Sequence, residues 1–177
     1  SLLAIAAGID KVKKGDLKKV TVFKPAFSVQ GGDLGFLPGT EDEKFAGFAE
    51  SIFDALEETL QRREVEEMIR KGQLEILPLS HIRGRTLNSA YIVLDEAQSL
   101  ELPTILSVLT RAGKNSQIAI SYDLSQNDNL HISKHQGIHE AVQRMVGNPL
   151  FAHVNITKSE RSRVAQMASD LLEEFIL

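Results

Sequence analysis

Asp95 and Glu96 are adjacent carboxylates that directly follow the apolar run Tyr91-Ile-Val-Leu94. An unbroken apolar run of this length reads as a buried parallel strand. Open α/β sheets hold their ligands at the carboxyl ends of such strands. Two acids at that point suit Mg²⁺-dependent phosphoryl chemistry, with Asp95 on the metal side and Glu96 polarising the attacking water. Gln98 follows closely enough to report on a terminal phosphate. The same two acids also suit capping of the helix expected after them, because the positive end of a helix attracts carboxylates. The pair alone leaves both readings open.

Other groups bear on the choice. Asp123-Leu-Ser-Gln126 follows the apolar run Gln117-Ile-Ala-Ile120, and neighbouring strand ends open into one crevice. Gln126 is placed to orient a water near a γ-phosphate, although Asp and Ser are also ordinary turn formers. Ser159-Glu-Arg-Ser-Arg163 follows the strand expected at 153–156. There Arg161 suits an arginine finger, while Ser159 with an acid behind it also makes a normal helix start. Arg83-Gly-Arg85 offers two guanidiniums to phosphate, from nucleic acid or from a neighbour's nucleotide, or is a solvated basic loop. His131, His135 and His139 recur every fourth residue. No His-Glu-x-x-His pattern accompanies them and Gly137 interrupts the helix they need, so a solvated face is expected rather than a metal site.

These groups need a frame. Leu2, Ile5, Ala6, Ile9 and Val12 repeat at helical spacing up to Gly15. A strand is expected at 20–23, then a long structured loop rich in Gly and Pro over 27–40. Helices are expected around Phe45–Leu56 and Val65–Ile69, the second ending at Gly72. A short strand at 74–77 is limited by Pro78. Strands follow at 91–94, 117–120 and 153–156. The helix carrying Leu102, Ile105, Leu106 and Leu109 has Pro103 in its first turn and Gly113 past its end. Val164 to Phe175 form a last helical stripe. Strands alternating with helices predict a parallel sheet covered on both faces.

Composition bounds the rest. The 177 residues suit one domain, with 42% hydrophobic and 25% charged residues. With 20 Lys+Arg against 24 Asp+Glu the net charge is −4, so nucleic-acid contact needs a local basic patch. Cysteine is absent, which removes disulfides and thiolate metal sites. No apolar run approaches the roughly 20 residues that span a bilayer, and no signal peptide is evident. The expected location is the cytoplasm, with no membrane partner.

Four stretches together carry a resemblance: Lys24-Pro-Ala with Leu34-Gly-Phe-Leu-Pro-Gly39, Ile82-Arg-Gly-Arg-Thr-Leu-Asn88, Val93-Leu-Asp-Glu-Ala-Gln98 and Leu109-Thr-Arg111. On them the chain closely resembles the PhoH-like family of phosphate-starvation-inducible P-loop ATPases, from residue 1 to about residue 172. The family is similar to the motor core of superfamily 1 helicases, and some members carry an RNA-cleaving PIN domain. The resemblance implies an α/β fold, a P-loop NTPase (RecA-like) parallel sheet, with ATP and Mg²⁺ as cofactors. It implies Asp95 as the Mg²⁺-side acid, Glu96 as catalytic base, Gln98 and Gln126 as phosphate sensors and Arg161 as the finger-like arginine. Lys24 stands where relatives usually carry Arg, in a segment similar to one that touches a single strand.

Two departures stand out. Ser1 aligns with the last hydroxyl residue of the family's phosphate loop, a position that would bind Mg²⁺. The domain, residues 1–177, is thus expected to be cut at its N-terminal edge, without its first strand and phosphate loop, and to bind ATP poorly as it stands. Tyr122 replaces a glycine that relatives have before Asp123, adding bulk beside the γ-phosphate. The resulting expectation is an ATP hydrolase coupled to remodelling of single-stranded RNA, assembled as a homo-oligomeric ring in which Arg83, Arg85 or Arg161 completes a neighbour's site. The alternative is a nucleotide-gated assembly or binding module without turnover.

Overall fold

Every residue of Ala90–Leu94 is buried, which is the signature of a strand with neighbours on both edges and helices on both faces. This is β3, the pivot of the computed structural model, which describes residues 1–25, 50, 52–54, 56, 57, 60–123, 137–156 and 167. β1 (Lys19–Lys24) pairs with it on one side and β4 (Gln117–Ile120) on the other, while β2 (Leu74–Pro78) lies outside β1. All these pairings are parallel. The expected parallel α/β sheet is present. β2 ends on Pro78 at the sheet edge, where a missing ladder donor costs least.

Alternation along the strands sorts side chains to two faces. On one, Val20, Val22, Tyr91 and Val93 meet Ile5, Ile9 and Val12 of α1 (Leu2–Lys13) and Val65 and Met68 of α2 (Arg62–Arg70). Ile52 and Leu56, in helical residues at 52–54, 56 and 57, complete that layer. On the other, Phe23, Ala90, Ile92 and Leu94 meet Ile105 and Val108 of α3 (Leu102–Leu109) and Ile138 and Ala141 of α4 (Ile138–Met145). α1 comes very close to the sheet at Gly8, where a Cβ would lie 2.5 Å from the Tyr91 ring. Only glycine permits that approach, and it fixes where the N-terminal end of α1 sits.

Most of the punctuation behaves as the sequence predicts. Pro103 falls in the first turn of α3, and Gly72 takes φ +67° just after α2. Two expectations need changing. Residues 153–156 form no strand: Val154 and Ile156 are exposed and no partner strand pairs with them among the described residues. A β-branched alternation supplies the side chains of a strand, but the ladder requires a neighbour's N–H and C=O groups. Residues 138–145, read only as part of a histidine-bearing face, form α4 after Gly137, which takes φ +67°. The loop at 27–40 and most of the final stripe at 164–175 lie outside the described residues. No helix among the described residues is long and apolar enough to cross a membrane.

Candidate active site

The strand register brings the chemistry to one level. Phe23, Leu94 and Ile120 form a single row across the sheet, so Lys24, Asp95 and Ser121 leave their strands side by side. Asp95 is buried, and its N–H donates to the Phe23 carbonyl at 3.0 Å. Its Oδ1 accepts from the Ser1 hydroxyl at 2.5 Å and from the Ser121 hydroxyl at 2.6 Å. The close approach at Gly8 places Ser1 at this point, and the turn after β4 places Ser121. A buried carboxylate needs compensation, and here it comes from neutral hydroxyls; among the described residues Asp95 makes no ion pair.

Glu96 follows in the left-handed region, at φ 54° and ψ 40°, an arrangement that costs a non-glycine residue about 1–2 kcal/mol. It is half-buried, and its Oε2 accepts from the Gln98 side-chain amide at 2.6 Å. The 3₁₀ turn Ala97–Ser99 is tied to the neighbouring strand by the Ala97 N–H, which donates to the Ser121 carbonyl at 3.0 Å. Gln98 is 3% exposed, and its other amide atom accepts from the Asp123 N–H at 3.2 Å. Asp123 itself is exposed.

A cavity of about 210 Å³ opens beside Asp95 and Glu96, walled by Ile5, Ile52 and Leu56 and bordered by Ser1 and Lys24. Pockets for small-molecule ligands run to roughly 300–1,000 Å³; the space among the described residues is smaller and has room for a phosphate group and a cation. The donor set fits Mg²⁺. The Asp95 carboxylate and the hydroxyls of Ser1 and Ser121 are hard oxygen ligands, and Mg²⁺ characteristically takes one or two carboxylates and keeps several waters. Among the described residues no group of three or more His, Cys, Asp or Glu could cage a metal alone. For phosphate, the same cavity meets the first turn of α1, whose leading amides have no intrahelical acceptor.

The remaining sequence-derived candidates divide. Lys24 borders the cavity. Arg85 lies elsewhere: its Nη2 is 3.0 Å from Glu75 Oε2, which also receives Lys19 Nζ at 3.0 Å and the Thr21 hydroxyl at 3.3 Å. Burial alone would raise the Glu75 carboxyl pKa, but the bonds and charges of Lys19 and Arg85 outweigh it and hold it below the ordinary value. Arg83 is exposed. Tyr122 stacks on His153 with ring centroids 6.2 Å apart, and its hydroxyl is 2.9 Å from His153 Nε2; burial raises its pKa. His139 hydrogen-bonds Gln143 on α4. Gln126, Arg161, His131 and His135 lie outside the described residues. Sequence reasoning missed Ser121 as a partner of Asp95. The available signal was its position directly after an apolar strand.

The family model described as PhoH-like protein matches residues 1–173. The chain is 41% identical over 178 residues to Protein PhoH2 of Thermobispora bispora, covering 100% of this chain and 41% of that one. It is 43% identical to Protein PhoH2 of Mycolicibacterium smegmatis, over 98% of this chain and 40% of the relative. A PhoH-like protein of Bacillus subtilis is 39% identical over 71% of this chain, covering 39% of its own length. The chain thus spans about two fifths of the length of the curated relatives it matches.

Proposed function

The chain belongs to the PhoH-like family, and from that premise we propose that it binds Mg²⁺–ATP at the ends of β3 and β4 and hydrolyses it. The observation that carries this reading is the buried Asp95 carboxylate, held by two hydroxyls beside a second acid and a phosphate-sized cavity. Bound Mg²⁺ would neutralise charge on the phosphates and polarise the reacting phosphoryl group. Asp95, with Ser1 and Ser121, would hold that ion. Glu96 accepts the proton of the attacking water, Lys24 and the first turn of α1 bind phosphate oxygens, and the apolar wall of Ile5, Ile52 and Leu56 limits bulk water. Gln126 orients the water and Arg161 neutralises developing charge, as the family resemblance implies.

We extend the proposal to coupling with single-stranded RNA, supported by the exposed Arg83 and by Lys24 at the strand ends, and to a homo-oligomer in which Arg83 or Arg161 meets a neighbour's nucleotide. The deciding measurement is Mg²⁺-dependent phosphate release from ATP by the intact protein and its Glu96→Gln variant. Loss of a general base lowers turnover about 10²–10⁴-fold. Release that is absent, or unchanged by Glu96→Gln, removes the hydrolase reading. One observation favours the second reading, a nucleotide-gated module without turnover: Tyr122, stacked on His153, stands at the end of β4 beside the site. Mg²⁺-dependent ATP binding without release would establish it.

A further inference from the structure

We propose that Gln98 is a positioning residue whose side-chain amide links the carboxylate of Glu96 to the backbone at the end of β4, so that each fixes the other. Its catalytic consequence rests on the reading of Glu96 as general base; the link itself does not. The orientation of the amide is forced by its partners. A carboxylate can only accept, so the NH₂ end must face Glu96 Oε2, at 2.6 Å; a backbone N–H can only donate, so the carbonyl end must face Asp123, at 3.2 Å. With 3% exposure, Gln98 has little water to replace either bond.

The backbone makes the link consequential. Glu96 sits in a left-handed conformation that an ordinary side chain adopts only when its surroundings hold it there. Among the described residues the holding ties include the Gln98–Glu96 bond and the bond from the Ala97 N–H to the Ser121 carbonyl. The second of these, together with the Gln98–Asp123 bond, couples the turn after β3 to the residues after β4. Displacing Asp123 would therefore draw on Gln98 and re-aim the Glu96 carboxylate. Asn at this position is one methylene too short to make both bonds. Glu would set a carboxylate against a carboxylate.

Hydrogen–deuterium exchange over the peptide carrying Asp123, in the intact protein, tests the link without requiring turnover. Gln98→Met keeps the side-chain length and removes both bonds. Glu96→Ala leaves Gln98 in place and removes only its far partner. Both variants are expected to speed exchange at the Asp123 amide by about fivefold, the scale of one net hydrogen bond, with the β3 amides unchanged. Exchange at Asp123 in Glu96→Ala that matches the parent overturns the proposal, and this variant decides the matter even if Gln98→Met fails to fold. On turnover, Gln98→Met should lower kcat about tenfold or more while leaving ATP affinity within twofold, as expected when an interaction acts on the chemical step alone. Lowered affinity at unchanged kcat would instead assign Gln98 to phosphate binding and overturn the positioning role. If the parent protein releases no phosphate, the hydrolase reading fails and the exchange result still decides the link.

Discussion

Asp95 and Glu75 each gather several donors on one carboxylate oxygen, yet the two sites are built for opposite ends. The donors to Asp95 are hydroxyls, from Ser1 and Ser121, and the group is buried. The donors to Glu75 are two cations and a hydroxyl, and the group is half-buried. Neutral donors orient a carboxylate without bringing a countercharge to it, and no cation among the described residues pairs with Asp95. Lys19 and Arg85 cancel the charge of Glu75, which joins β1, β2 and the Arg-Gly-Arg turn. A carboxylate's chemistry is set by the charge of its donors more than by their number.

The largest expected effect tests the Asp95 half of this contrast. Asp95→Asn should weaken Mg²⁺-dependent ATP binding more than about 100-fold, beyond what loss of an outer-shell partner causes. Without nucleotide it should leave the thermal midpoint unchanged or raised, because a buried charge lacking a cation is removed. Titration calorimetry and a melting curve on one preparation check both. A lowered midpoint would mean that Asp95 is structural, like Glu75.

Next in size is Gly8→Ala. The added Cβ meets the Tyr91 ring at 2.5 Å, and overpacking of this kind costs about 1–3 kcal/mol, partly offset by the better helix propensity of alanine. Urea unfolding measures the loss. Because α1 carries Ser1 onto Asp95, the same variant should also weaken Mg²⁺-dependent nucleotide binding. Unchanged stability would show that α1 does not need its close seat on β3.

The smallest effect sharpens the Glu75 half. Glu75→Gln should cost about 1 kcal/mol, since its partners are only partly shielded from water. The folded-state pKa of Glu75 lies below its unfolded value near 4.5. A depressed carboxylate contributes stability that is present above the unfolded pKa and lost as pH falls through the folded one. The gap between parent and Glu75→Gln in urea titrations should therefore be full above pH 4.5 and close as the solution is acidified below it. A gap that persists or widens in acid would contradict the ion-pair account.

The two regions were unequally legible. Asp95 and Glu96 were visible because four apolar residues precede them, and a buried strand must end where its side chains turn polar. Arg83 and Arg85 looked equivalent around their glycine. Glu75, ten residues before Arg85, separates them, and nothing in the local sequence announces that pairing. The opposite failure occurred at 153–156, where the pattern suited a strand and no neighbour completed it among the described residues.

By itself the sequence determined the four strands of the parallel sheet, the helices α1, α2 and α3, and the acid pair at a strand end. These follow from local patterning, since alternation, apolar runs and Gly or Pro punctuation act over a few residues. The tertiary structure alone decided that Ser1 reaches Asp95 across 94 positions, that Ser121 joins them, and that Gln98 ties Glu96 to Asp123. Such contacts depend on strand register and on how closely a helix can seat, and both are settled only when distant segments pack.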